Sequence, residues 1–320
     1  MDMIPETAND SAAPMKAVRV HAFGGLDAMV YEDVPRPTPG PGQVLVRVAA
    51  AGVGPWDLWV RSGKSALPQP LPLTLGADLS GVVEAVGEGV TGFEPGSAVY
   101  GATNARFTGA YADYALAEAT MIAPRPATLS DVEAASVPVI GCTALQMLFE
   151  HAGVQAGQTV VVIGGGGNVG AYAVQLAILA GAKVVATGRT PDLDRIAALG
   201  ATAVDSGAAI PAEFLGKADA VIDTVGGRAL EQAFEWLRIG GVLVSSAAEP
   251  DRDLAASHKV RAQFMLVAVT THKLIELSEF FVSAGLKTSI GEVLALSDAR
   301  RAHAMIEAGT APTGKLVLVP

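Results

Sequence analysis

Residues 160–163 form a β-branched run, Val160-Val161-Val162-Ile163, that breaks into four consecutive glycines, Gly164, Gly165, Gly166 and Gly167. Asn168, Val169 and Gly170 follow, and an amphipathic helix is expected over 171–179. A strand, a glycine turn and a helix start in that order make a phosphate cradle. Glycine allows a tight turn and a close backbone approach, and the helix N-terminus offers unpaired N–H groups and a positive dipole end. A dinucleotide is therefore expected here. The spacing is G-x-x-G-x-x-G rather than G-x-G-x-x-G, and the competing reading is a plain flexible turn.

A chain of 320 residues predicts about two domains. Half of the residues are hydrophobic and 17% are charged, enough for sizeable cores and against disorder. The net charge of −10, with no basic stripe, argues against nucleic acid as a partner. The single cysteine, Cys142, excludes an internal disulfide and reads as a small buried apolar residue. Residues 1–14 have neither a basic start nor an apolar core, so they read as a disordered acidic extension rather than a signal peptide. Residues 159–182 carry no formal charge, yet the glycines fit a strand and a helix better than a membrane span. A cytoplasmic protein is expected.

Short β-type runs at 16–22, 43–51, 81–86 and 98–100, punctuated by proline and glycine, predict a small, mostly β domain. Near Ser130 the pattern changes. Ser130 and Glu133 form a capping-box signature, and strands then alternate with helices: 159–163, 183–187, 201–205, 220–224 and 241–245, with a helix over 228–237. That alternation predicts a doubly wound parallel sheet. Thr190 is the expected N-cap of the helix before Gly200, with Pro191 at its first position. Helices over 274–284 and 298–308 and strands over 292–296 and 315–319 form a tail expected to pack back on the N-terminal domain. The fold class is thus α/β, with domains at 15–129 plus 269–320 and at 130–268.

The second parallel strand ends Thr187-Gly188-Arg189, with no carboxylate at its tip. A carboxylate there would accept from the ribose 2′-hydroxyl of NAD, whereas an arginine clamps a 2′-phosphate. NADP(H) is expected, against the alternative that Arg189 is an ordinary solvated side chain. Sheet geometry adds Thr224, Val225, Gly226, Ser245 and Ser246, at carboxyl ends of strands, as cofactor contacts.

Several segments in order carry a resemblance: Gly54-Pro55-Trp56-Asp57-Leu58-Trp59 within 51–63, Gly76-Ala77-Asp78 within 75–87, Gly109-Ala110-Tyr111-Ala112-Asp113-Tyr114, Thr143-Ala144 and Thr313-Gly314-Lys315. From about residue 15 to 320 the chain resembles the medium-chain dehydrogenase/reductase superfamily, in its zinc-free quinone oxidoreductase branch. The resemblance implies a GroES-like substrate domain, a Rossmann cofactor domain, a cleft between them and a homodimer, with residues 265–269 passing the nicotinamide. It places zinc ligands of related enzymes at Gly54, Ala77 and Val139, none of which can bind zinc, so no metal is expected. It sets Thr143 beside the nicotinamide. Where the branch often carries Asn and Tyr, this chain has Gly54 and Trp59.

Trp56 and Trp59 are the expected cleft walls, against ordinary domain packing. Tyr111 is a candidate proton donor, against a structural strand tyrosine. The expected activity is hydride delivery from NADPH to a small electrophile, a quinone or activated enone. The alternatives are an enoyl-thioester reductase and a non-catalytic NADPH-binding redox sensor or structural protein.

Overall fold

A computed structural model describes residues 14–320. The expected extension over 1–14 lies outside the described residues except for Pro14, which opens the strand Pro14–Val20.

The core of the C-terminal half is a six-stranded parallel sheet. Its order is Thr202–Asp205, Lys183–Gly188, Thr159–Ile163, Ala218–Asp223, Leu237–Ser245, Arg261–Phe264. Val160, Val161 and Val162 are fully buried because helices cover both faces of this central strand, as parallel sheets require. The chain leaves Thr159–Ile163 first on one side and later on the other, so a crevice opens at the carboxyl ends of the strands.

The N-terminal half is mostly β. A seven-stranded sheet contains Gln43–Val53, Asp78–Val86, Ala98–Ala102, Tyr114–Glu118 and Ile122–Pro124, completed by the C-terminal strands Ile290–Ala295 and Lys315–Val319. Leu316, Val317 and Leu318 pair with Val53, Gly52 and Ala51, so the last strand joins the N-terminal sheet. The helix Thr271–Ser283 instead sends Leu274, Leu277 and Phe281 into the core cluster that holds Val160 and Ile222.

Ser130 caps the helix Asp131–Ala135 as its sequence predicts, accepting from the Glu133 N–H at 3.3 Å. Thr190 does not cap. Residues Thr190–Asp192 form a 3-10 turn before the helix Leu193–Ala198, and the Thr190 hydroxyl donates to Asp205 Oδ2 at 2.6 Å. The helix expected over 228–237 is shorter, Gly227–Gln232 followed by a 3-10 turn, and Leu237 already belongs to the next strand. Residues 159–182 split into a strand and the 12-residue helix Asn168–Leu179, and no described helix is long and apolar enough to cross a membrane.

Candidate active site

In the glycine loop Gly164, Gly165, Gly166 and Gly170 leave no room for a side chain. Gly164 has φ +85°, and a Cβ there would stand 2.6 Å from both Thr224 Oγ1 and Val225 Cγ2. A Cβ on Gly165 would lie 2.7 Å from that of Ala186, one on Gly166 2.7 Å from that of Asp192, and one on Gly170 would collide with the Gly164 carbonyl. Gly167 is the N-cap of Asn168–Leu179, and no side chain caps that terminus. The N–H groups of Asn168, Val169 and Gly170 thus lack intrahelical acceptors and present the donors a pyrophosphate takes. Bare cradle and uncapped helix end fit a dinucleotide.

Beside the loop lies a cavity of about 350 Å³ lined by Gly164, Gly166, Gly188, Arg189, Asp192 and Thr224 among others. Gly188 ends its strand, and a Cβ on it would meet Ile196 Cδ1 at 2.5 Å. Arg189 stands at the rim with a side chain 78% exposed, its Nε donating to Asp192 Oδ2 at 3.0 Å. The strand tip therefore has no carboxylate of its own, but the following turn brings one back to it. With Thr190 as N-cap and Pro191 at the first helical position, Asp192 would lie inside the helix; it stands instead in the 3-10 turn Thr190–Asp192 that precedes it.

Other expected contacts divide. Thr224 donates its hydroxyl to the Ile163 carbonyl at 2.8 Å, tying two strand ends together, and Val225 is exposed. Gly226 has φ +75°, and its N–H donates to Asp223 Oδ1 at 3.1 Å. Ser245 is turned inward. Fully buried, it donates to Asp223 Oδ2 at 2.7 Å and accepts from Ala247 and Ala248 N–H groups, so it shapes the loop from beneath. Ser246 donates backbone N–H to the Asp223 carbonyl at 3.0 Å. The Thr143 hydroxyl donates to the Val139 carbonyl at 2.7 Å, which leaves its lone pairs for a ligand.

In the N-terminal half, the helix Pro55–Arg61 carries Trp56, Asp57 and Trp59. Trp59 is 55% exposed. Trp56 is half-buried; its Nε1–H finds no acceptor among the described residues, and the Lys315 ammonium lies 4.3 Å from its ring centroid. Lys315 pairs with Asp78 Oδ2 at 3.0 Å, and Asp78 Oδ1 accepts from the Val139 N–H at 2.9 Å. These buried groups tie the strands Asp78–Val86 and Lys315–Val319 to the helix Pro138–Leu145.

Tyr111 is fully buried, and its hydroxyl donates to Asp57 Oδ2 at 3.1 Å. It faces this interior network rather than open space, so its role as a direct proton donor is not what the geometry favours. The same Oδ2 accepts from the Gly54 N–H at 2.8 Å, and Oδ1 has no partner among the described residues. Burial pushes the Asp57 carboxyl up to about 7, only partly offset by the Gly54 N–H and by Lys315. Beyond Tyr111 lies His303, whose Nδ1 is 3.2 Å from Arg61 Nη1, and Arg61 pairs with Glu307. Burial, and then Arg61, push His303 down to about 3, so it is neutral.

Sequence reasoning missed Gln146. Its buried amide donates to the Cys142 and Ala268 carbonyls at 2.9 and 3.1 Å and accepts from the Ala268 N–H at 3.2 Å. It clamps the segment after the last parallel strand. The signal available was a lone amide in an apolar run.

The positions Gly54, Ala77 and Val139 carry no metal donor, and the described residues contain no cluster of three or more His, Cys, Asp or Glu side chains with metal-binding geometry.

Comparison with known proteins agrees with this architecture. Residues 40–127 match the alcohol dehydrogenase GroES-like domain and residues 193–318 a domain described as zinc-binding dehydrogenase. Human quinone oxidoreductase is 30% identical over 95% of this chain and 98% of its own. The 2-methylene-furan-3-one reductase of Solanum lycopersicum is 35% identical over 75% of this chain and 64% of its own. A mycobacterial protein solved in complex with NADPH superposes with a TM-score of 0.83, at 29% identity over 96% of this chain and all of that one. The chain belongs to the medium-chain dehydrogenase/reductase superfamily, in its quinone oxidoreductase-like branch, as an oxidoreductase that uses a nicotinamide cofactor.

Proposed function

We propose that the chain is an NADPH-dependent, zinc-independent reductase of quinones or activated enones. The observation that carries this reading is the cavity at the switch point, where an uncapped helix N-terminus adjoins an exposed guanidinium, Arg189. Both favour phosphate. The similarity to a quinone oxidoreductase and an enone reductase supports the acceptor class.

The nicotinamide, when bound, supplies the hydride. The protein's share is orientation: the glycine loop and Arg189 hold the nucleotide, Gln146 fixes the segment near Ala268, and Trp59 offers a flat apolar wall. With no metal donor at Gly54, Ala77 or Val139, carbonyl polarisation falls to hydrogen bonds, which suits an acceptor that is already electron-poor.

The strand Arg261–Phe264 ends its sheet with an open edge, and the adjoining Leu266 is 67% exposed. This edge supports a homodimer, tested by light scattering of Leu266→Glu.

The functional test is NADPH oxidation with a flat ortho-quinone and an aliphatic enone, beside NADH and a metal chelator. Chelator-insensitive turnover preferring NADPH is expected. Nucleotide binding with no turnover of either acceptor favours the sensor reading instead.

A further inference from the structure

Two carboxylates, Asp192 and Asp205, and one guanidinium, Arg189, line the cavity, with Arg195 beneath the glycine loop. They are not equivalent. Both oxygens of Asp205 are engaged, Oδ2 by the Thr190 hydroxyl at 2.6 Å and Oδ1 by the Gly207 N–H at 2.7 Å, which holds its loop and lowers its pKa. Arg195 donates to the Gly166 carbonyl, under the glycine loop. These two groups are structural.

Asp192 is poised differently. The 3-10 turn returns its carboxylate to the strand tip, so that its Cβ lies 2.7 and 3.3 Å from where Cβ atoms on Gly166 and Gly188 would stand. The residue is 6% exposed, yet it lines the cavity. Only Oδ2 has a partner, Arg189 Nε, and among the described residues no donor reaches Oδ1.

We propose that Asp192 is the cofactor-selecting residue of this chain, resting on the nicotinamide reading of the cavity. Through Oδ1 it accepts from an adenosine ribose hydroxyl; through Oδ2 it holds Arg189. A 2′-phosphate must take that guanidinium from the carboxylate and tolerate a like charge beside it. NADPH and NADH therefore both bind, and the preference for NADPH is smaller than Arg189 alone would give. Asp192 acts as a resident competitor of the phosphate.

Dissociation constants of NADPH and NADH for the full chain, from calorimetry or tryptophan quenching, test this without any acceptor. Asp192→Asn keeps the shape against Gly166 and removes the charge. It is expected to tighten NADPH roughly tenfold, about 1.4 kcal/mol, and to weaken NADH several-fold. Asp192→Ser, with another shape, should move the ratio the same way, and thermal unfolding without nucleotide shows whether each variant is folded. Arg189→Met should erase the gain. Equal changes in both constants, no change in their ratio, or no binding by the wild type would each overturn the proposal. Failure of acceptor turnover with the ratio shifted as expected would remove the reductase reading and leave this one standing.

Discussion

The indole of Trp56 lies over the α-carbon of Gly54, in the space any side chain at position 54 would need: a Cβ there would stand 2.5 Å from ring atom Cζ3 and nearer still to Cη2 and Cζ2. Gly54 has φ −130°, so backbone strain is not what requires glycine; the ring is. The branch's asparagine and this chain's tryptophan are thus mutually exclusive in this arrangement.

That exclusion is measurable. Gly54→Asn must displace the indole and is expected to cost about 1–3 kcal/mol, in the range of core overpacking. In a Trp56→Ala background the same substitution should cost at least about 1 kcal/mol less, as contacting residues couple. Urea unfolding of the four proteins gives the coupling; additive changes would contradict it.

Lys315 and Asp78 are 1% and 0% exposed and rely on each other. Removing one partner of a buried pair costs about 3–5 kcal/mol, because the other charge is stranded. Lys315→Met should therefore destabilise strongly, while Lys315→Met with Asp78→Asn should lose less than Lys315→Met alone. Thermal unfolding of both variants checks this ordering.

Asp57 and His303 make opposing contributions with pH. The Asp57 folded-state pKa is raised to about 7, so its contribution to stability is complete below pH 3.8 and is lost as pH rises through about 7. His303 is lowered to about 3 from 6.5, so the unfolded state binds the extra proton and stability grows with pH across that interval. Asp57→Asn leaves the second trend alone. Relative to wild type, the variant should gain stability between pH 4.5 and 7.5, by an amount on the order of a few kcal/mol at about 1.4 kcal/mol per pKa unit. Denaturation at the two pH values reads the difference, and a pH-independent offset would contradict the assignment.

Gln146→Leu removes the partners of the part-buried N–H and carbonyl of Ala268. The expected loss is about 1–2 kcal/mol, from hydrogen bonds lost at part-buried groups. Amide exchange should rise around residues 265–269 more than in the central strand. Uniform loosening would remove the clamp role.

The parallel sheet and the cradle were legible because each strand is a short apolar run closed by a turn and each glycine answers a local steric need. The strand Thr159–Ile163 and the capping box at Ser130 are purely local features. The helix Pro138–Leu145 was not legible: all eight residues are buried, so it has no polar face to set a period. The helix Pro55–Arg61 was read as a motif rather than as a helix, its seven residues being too few to show periodicity. The site's interior lay further out of reach. Arg61 and His303 are separated by 242 residues, and Lys315 and Asp78 by 237, so only tertiary folding brings them together. Asp192 was missed for a subtler reason, since a 3-10 turn in place of an immediate helix redirects its carboxylate to the strand tip.

The most direct test of the account is the fate of the label from NADPH deuterated at C4 of the nicotinamide, followed by mass spectrometry of an enone product. Deuterium on the β-carbon of the reduced enone, undiminished by a chelator, is the result the account predicts. Binding of the nucleotide without transfer of label to the enone, and without turnover of the quinone, would contradict it.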